Sequence, residues 1–334
     1  MNKQTVNQFI KEFGSRIGSG YFKENEILAK HTSFQIGGSA CLYIEIVKTA
    51  DLIDVLKYVL TKKIPHIIIG GGTNLLIPDK GYPGICIKNN TNKIIIKKYS
   101  GSFSKNKVQQ GHVELEVLSG TSMNQLVRFT LEEGLSGLEA FLGLPGTVGG
   151  AVYMNAHNIK MHEQFGDKIT NAEIITEKGQ IATVDKSYFK FGYDKSILQQ
   201  YKQIVLKVTI KLLKADQRLI WAKANKALDN RRASQPWNFP SAGCIFKNIS
   251  MADALRLGTP NNTTSAGFLI QSAGLKNFRI GKARFSDKHA NFIVNDGGAK
   301  YSDVLQLINI AKEKVKKRYG ITLEEEIVIL KEEN

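Results

Sequence analysis

Apolar residues recur at helical spacing near the start of the chain, where Val6, Phe9, Ile10 and Phe13 predict a first helix. Residues 50–61 repeat the pattern with Leu52, Ile53, Leu56, Val59 and Leu60. After Pro65, the run His66-Ile67-Ile68-Ile69 stops at Gly70-Gly71-Gly72, which reads as a short buried strand running into a glycine turn. Residues 85–87, 93–98 and 112–118 are strand-like, with the clearest alternation at Val113, Leu115 and Val117. A helix is expected over 122–133, with Ser122 as its N-cap. The stretch GLEAFLGLPGTVGG (137–150) holds five glycines and a proline among apolar residues and predicts neither a regular helix nor a strand. Strand patterns return at 172–176, 180–184 and 203–213, and 217–231 reads as a helix. A polar, proline-punctuated stretch and a turn-rich region follow, then a strand at 290–294. An amphipathic helix over 302–319 carries Val304, Leu305, Ile308, Ala311 and Val315, and a strand at 326–330 ends the pattern. There is no internal repeat. The class is α+β, with the main boundary between Leu213 and Gln217 (1–213 and 214–334).

The length of 334 residues exceeds what one core ordinarily serves, so two or three domains are expected. No apolar run approaches the ~18 residues of a membrane span, and MNKQTVNQFIKEFG lacks the apolar centre of a secretory signal. The cytoplasm is the expected compartment. Cys41, Cys86 and Cys244 are odd in number and form no CxxC pair, which argues against a disulfide framework and a cysteine zinc site. The other histidines and carboxylates show no metal-ligand spacing, so no metal is expected. The net charge of +16 favours anionic partners or reflects a lysine-rich composition, and both readings stay open. No Lys/Arg block is dense enough for a nucleic-acid arm, so neither nucleic acid nor membrane is expected as a partner.

Two glycine segments could carry chemistry. Gly70-Gly71-Gly72-Thr73-Asn74-Leu75-Leu76 follows a strand, and successive N–H groups in such a turn form a nest for phosphate. Leu75 stands where a Rossmann fingerprint needs its third glycine, and no GK[ST] follows, so neither of those motifs applies. A plain structural turn is the competing reading. Gly143-Leu144-Pro145-Gly146-Thr147-Val148-Gly149-Gly150 offers no acid–base side chain. Apolar residues with exposed amides suit a flat ring that needs hydrogen bonds at its rim, such as a flavin, and close backbone packing is the alternative.

The chain resembles the MurB family of FAD-dependent UDP-N-acetylenolpyruvoylglucosamine reductases. Seven stretches carry the likeness in order: HTSFQIGGSA from His31, IGGGTNLLI from Ile69, GLEAFLGLPGTVGGAVYMNA from Gly137, FGYDKSIL from Phe191, RRASQPWNFPSAGCIFKN from Arg231, GFLIQSAGLKNFRIGKARFSDKHANFIVN from Gly267, and LEEEIVIL from Leu323. The resemblance implies a two-part flavin-binding module of the vanillyl-alcohol-oxidase type, core about 31–213 with a subdomain boundary near 85–100, followed by a substrate-binding domain. The short path from Ile210 to Arg231 is similar to the family's shorter second type. The implied activity is NADPH-dependent reduction of UDP-N-acetylglucosamine enolpyruvate to UDP-N-acetylmuramate through non-covalent FAD, in peptidoglycan precursor synthesis, by a monomer. A flavin oxidase on the same scaffold and a catalytically impaired flavin- or nucleotide-binding protein are the alternatives.

The resemblance also implies site residues. Ile69, Gly70, Gly71, Gly72, Thr73, Asn74, Leu75, Gly120, Thr121, Gly143, Pro145, Gly146, Thr147, Gly149 and Gly150 would hold FAD. Tyr193, Arg232, Gln235, Lys247 and Asn248 would face the UDP-sugar. Cys244 matches the family's general-acid serine. A thiol's reference pKa of about 8.5 makes it the stronger acid of the two. Glu326 matches the family carboxylate near the C-terminus. Three positions depart from the pattern. Asp194 stands where the family has an arginine to polarise the substrate carboxylate, which leaves Lys195 as the nearby cation. Ile159 replaces a tyrosine, and Ile249 follows Asn248 where the family has proline.

Overall fold

The computed structural model describes all residues except 102, 105, 106, 109, 110, 333 and 334. It divides into two compact units. The first comprises Met1–Glu24, Leu42–Gly71 and Gly84–Arg231, the second Asn25–Cys41, Gly72–Pro83 and Arg232–Asn334.

In the first unit, Lys3–Ile17 begins at Asn2, whose side chain accepts from Thr5 N. It buries Val6, Phe9 and Phe13 against Leu52, Val55, Leu56 and Val59 of the helix Thr49–Thr61. The strand His66–Ile69 pairs in parallel with Tyr82–Asn89, in register from His66↔Ile85 to Ile69↔Lys88. A larger sheet runs Ile181–Asp185, Ile169–Ile175, Ile204–Lys214, His112–Leu118, Ile94–Ser100. Its pairings are antiparallel. Along His112–Leu118 burial alternates strictly, turning Val113, Leu115 and Val117 inward. They pack against Met123, Leu126, Val127 and Leu131 of the helix Met123–Glu132, which Ser122 caps as the sequence predicts. The polar face carries Glu116 and Glu173 around Lys207, at 3.2 and 3.7 Å.

In the second unit an antiparallel sheet runs Ser241–Cys244, Phe292–Asn295, Ala283–Phe285, Arg279–Ile280. The helix Tyr301–Tyr319 adds Val304, Leu307, Ile308, Ala311 and Val315 to a core with Phe246, Leu269, Phe285 and Ile293. Two segments distant in sequence belong to this core through Phe34, Ile36 and Leu76. Buried Asn295 fixes one of them, donating to Phe34 O at 3.0 Å while its Oδ1 accepts from Gly297 and Ala299. Asp79 fixes the other by accepting from Tyr301 N.

Several sequence expectations are corrected. The helix after Asp216 runs Gln217–Ser234 and packs Ile220 and Ala224 into the first unit's core, so the units part at Arg231–Arg232 and not near Leu213. The glycine-rich stretch contains the start of a helix, Val148–Met154, capped by the Thr147 side chain and ended by Asn155 in the left-handed region. The turn-rich region holds two short helices, Met251–Leu257 and Ala266–Ser272. The last strand is confined to Val328–Ile329.

Candidate functional site

In the first unit Gly70 packs against Thr147. A Cβ on Gly70 would lie 2.2 Å from Thr147 Oγ1, so only glycine allows this approach. Thr147 cannot yield easily, because its Oγ1 accepts from Gly150 N. Lys88, on the neighbouring strand, donates its ammonium to Gly70 O. With that carbonyl held, the N–H groups of Gly71, Gly72 and Thr73 follow in succession, and none donates to another group among the described residues. Three successive unused donors in a glycine turn fit a phosphate-bearing cofactor such as FAD.

The Val148–Met154 helix start does not present free amides, contrary to the reading of exposed amides there. Val148 N donates to Thr121 O and Gly149 N to Ser119 O at 2.7 Å. Thr121 is fully buried, and its hydroxyl bonds Lys93 O. A Cβ on Gly120 would fall 2.5 Å from Thr91 O. Gly120, Thr121 and Gly149 thus lock the turn beneath the helix. Gly143 and Gly146 take φ of +78° and +108°, conformations that need glycine, and Gly143 N donates to Asn124 Oδ1. Pro145 has no N–H to offer.

Gly192–Lys195 is a tight hairpin in which the two end residues exchange backbone hydrogen bonds. Tyr193 and Lys195 are exposed, whereas Asp194 is buried with φ +49°. Ile159, at the position of the family tyrosine, is exposed.

In the second unit, Cys244 ends the strand Ser241–Cys244 and is half-buried. Gly243 before it takes φ +86°, and a Cβ there would meet nothing within 4 Å. Beyond Cys244 the chain runs beside the acidic segment. Glu326 N donates to Ile245 O at 2.8 Å, Phe246 bridges Glu325, and Lys247 N donates to Glu324 O at 2.9 Å. This ladder brings together Cys244 and Glu326, which the sequence holds far apart. Asn74 joins them, donating from Nδ2 to Glu326 O at 3.1 Å, while Leu75 pairs with Val328. The three glutamates differ in surroundings. Glu324 is exposed and 3.7 Å from Lys247, Glu325 binds Lys312, and Glu326 is half-buried.

The remaining candidates are dispersed within this unit. Asn248 Oδ1 accepts from Ala266 N, so its side chain starts a helix. Arg232 lies 6.0 Å over the exposed Trp237 ring, and half-buried Gln235 accepts through its carbonyl from Trp237 N. His289 Nδ1 accepts from Asn291 N and its ring packs on Phe292, a structural role.

Sequence reasoning missed Lys88. Its signal was a lysine inside the otherwise apolar strand ICIKN. Burial lowers its pKa, and Glu45 opposes that shift. Lys88→Met is expected to weaken FAD binding about tenfold, read by fluorescence titration of the apoprotein, by removing a cation and freeing the Gly70 carbonyl. The thiols also differ. Burial pushes Cys86 up to about 12, so it stays protonated at neutral pH. Thiol reagents at pH 8 should label Cys244 and spare Cys86 in the native protein. Stability should fall as pH rises above about 9, where the unfolded chain alone releases the Cys86 proton. Among the described residues there is no cluster fit for a metal and no helix long and apolar enough to cross a membrane.

Residues 41–185 match the family described as FAD binding domain, and 235–330 match UDP-N-acetylenolpyruvoylglucosamine reductase, C-terminal domain. The chain is 37% identical over 314 residues to the UDP-N-acetylenolpyruvoylglucosamine reductase of Anoxybacillus flavithermus, covering 93% of this chain and 95% of that protein. The Chlamydia trachomatis serovar D enzyme of the same name is 35% identical over 308 residues, 92% of this chain and 96% of that one. The crystal structure of the Thermus caldophilus UDP-N-acetylenolpyruvylglucosamine reductase superposes with a TM-score of 0.70 at 30% identity, covering 92% and 99%.

Proposed function

The chain belongs to the UDP-N-acetylenolpyruvoylglucosamine reductase (MurB) family, and on that premise we propose that Cys244 and Glu326 carry the proton-transfer half of its reaction. It joins a vanillyl-alcohol-oxidase-type FAD module to a MurB C-terminal domain, and its activity is that of a UDP-N-acetylmuramate dehydrogenase of peptidoglycan precursor synthesis. Bound FAD would supply the hydride chemistry between NADPH and the enolpyruvyl group. The chain's own contribution has two parts. The N–H groups of Gly71, Gly72 and Thr73, with Lys88 behind Gly70, hold cofactor phosphate. Cys244 Sγ delivers a proton to C2 of the enolpyruvyl ether as the lactyl ether forms, and the Glu326 carboxylate orients the reacting group beside it. The single observation supporting this assignment is the hydrogen bond from Glu326 N to Ile245 O, which seats the carboxylate segment against the Cys244 strand. Tyr193, Arg232, Gln235 and Lys247 are assigned to the UDP-sugar, and Lys195, exposed at the hairpin, to its anionic groups. The enzyme works as a monomer in the cytoplasm, where NADPH and UDP-sugars are made.

The test is turnover by the FAD-loaded protein with NADPH and UDP-N-acetylglucosamine enolpyruvate. NADPH consumption that requires the UDP-sugar, with a product heavier by two hydrogens, is the expected result. NADPH consumption driven by oxygen alone would indicate an oxidase, and bound flavin without turnover would indicate an impaired binding protein.

A further inference from the structure

The Gly192–Lys195 hairpin turns a carboxylate inward at its tip. Asp194 adopts φ +49°, a left-handed conformation that Asn, Asp and Gly tolerate best. Its side chain is only 3% exposed, and Oδ2 has no hydrogen-bond partner among the described residues. A turn of this shape needs no charge, and a carboxylate taken out of water is costly unless a cation accompanies it. Beside it lies the imidazole of His157, whose Nδ1 is 3.1 Å from Asp194 Oδ1. The two are at ion-pair distance without the alignment of a hydrogen bond, so Nδ1 too is left without a hydrogen-bond partner.

His157 reaches this position from the end of the Val148–Met154 helix. Asn155, which terminates that helix, donates from Nδ2 to Gly192 O and to Gln164 Oε1, both at 2.8 Å. Ser196 and Gln199 donate to Tyr153 O, and Gln199 also donates to Asp194 O. The hairpin is therefore tied at its base to the same helix end that supplies the imidazole. The His157 ring also lies 4.7 Å from the ring of Tyr193, tilted by 52°. Tyr193 is 41% exposed. The order is thus a buried carboxylate, a largely buried imidazole, and an exposed phenol.

We propose that the His157–Asp194 couple is a positioning device that fixes the pose of Tyr193 and thereby sets affinity for the UDP-sugar. This rests on the assignment of Tyr193 to that ligand made above. Neither His157 nor Asp194 is assigned contact with the substrate. Asp194 Oδ1 holds the imidazole at Nδ1, and the imidazole ring packs on the phenol.

The test uses the FAD-loaded enzyme and three variants, Asp194→Asn, His157→Phe and the double substitution. Asparagine keeps the left-handed turn and removes the charge. Phenylalanine keeps a ring against Tyr193 and removes Nδ1. Asp194→Asn is expected to raise KM for the UDP-sugar about tenfold with kcat and the rate of flavin reduction by NADPH nearly unchanged. His157→Phe should raise it less in the Asp194→Asn background than in the wild type, because the two substitutions break one couple. Independent multiplication of their effects, or an unchanged KM in Asp194→Asn, would overturn the proposal. A second readout does not depend on turnover. In the apoprotein, Asp194→Asn should shift both the Nδ1 resonance of His157 and the ring resonances of Tyr193. A shift in neither would overturn the couple itself. Shifted resonances without UDP-sugar turnover in the wild type would instead refute the assignment of Tyr193 to that ligand, and with it the effect on affinity.

Discussion

Gly70→Ala should cost the protein its flavin. The added methyl would sit 2.2 Å from Thr147 Oγ1 and 3.3 Å from Thr147 Cβ and Cγ2. Threonine is branched at Cβ and has few rotamers to escape into. Its hydroxyl also caps the Val148–Met154 helix through Gly150 N. Either the glycine turn retreats, and the amides of Gly71, Gly72 and Thr73 leave their places, or the cap breaks. Overpacking of this kind costs about 1–3 kcal/mol, and a lost cap about 1 kcal/mol more. Affinity for FAD is expected to fall by about ten- to a hundredfold, measured by fluorescence titration beside thermal melts of the apoprotein. Gly150→Ala provides the contrast. Its Cβ would lie 3.7 Å from Thr147 Oγ1, an ordinary contact. The apoprotein of that variant should melt no lower than the wild type, since alanine suits a helix by about 0.5–1 kcal/mol over glycine.

Cys244→Ala should divide the reaction in two. Flavin reduction by NADPH should proceed nearly as in the wild type, because it needs no proton from the thiol. The second half, in which the UDP-sugar takes up a hydride and a proton, should slow by about 10²–10⁴-fold, the usual contribution of a positioned acid. Rapid-mixing single turnovers separate the halves. Cys244→Ser should retain much of the activity, because serine also offers a proton and Gly243 leaves open space before it. Equal slowing of both halves would argue for general damage to the fold.

Local pattern foretold the local structure. Most positions picked by helical spacing in Lys3–Ile17, Thr49–Thr61 and Tyr301–Tyr319 are buried, although Ile10, Ile53, Leu60 and Leu305 are only half-buried while Val55 and Leu307 join the core unannounced, and Ser122 caps its helix as expected. The helix at Val148 was hidden because Gly149 and Gly150 are poor helix formers in isolation. They are held by donation to Ser119 O and the Thr147 cap, contacts made only in the folded chain. The discontinuous second unit was equally invisible. Phe34, Ile36 and Leu76 look like ordinary core residues, and nothing in their neighbours says which core they join.

The candidate site was legible where it follows a motif. The segments around Gly70, Thr147, Cys244 and Glu326 could be picked out in order. Their pairing, Gly70 against Thr147 and Ile245 against Glu326, required the fold. Asp194 read only as a charge reversal at the family's arginine position. Its burial depends on the left-handed turn and on His157, neither of which a strand or loop pattern reveals.

The most direct test is an anaerobic titration of the FAD-loaded protein followed by its visible spectrum. NADPH is added until the flavin bleaches, and UDP-N-acetylglucosamine enolpyruvate is added next. The flavin colour should stay bleached until the UDP-sugar enters and then return in proportion to it. A flavin that remains reduced in the presence of that substrate, or a protein that takes up no FAD, would contradict the account.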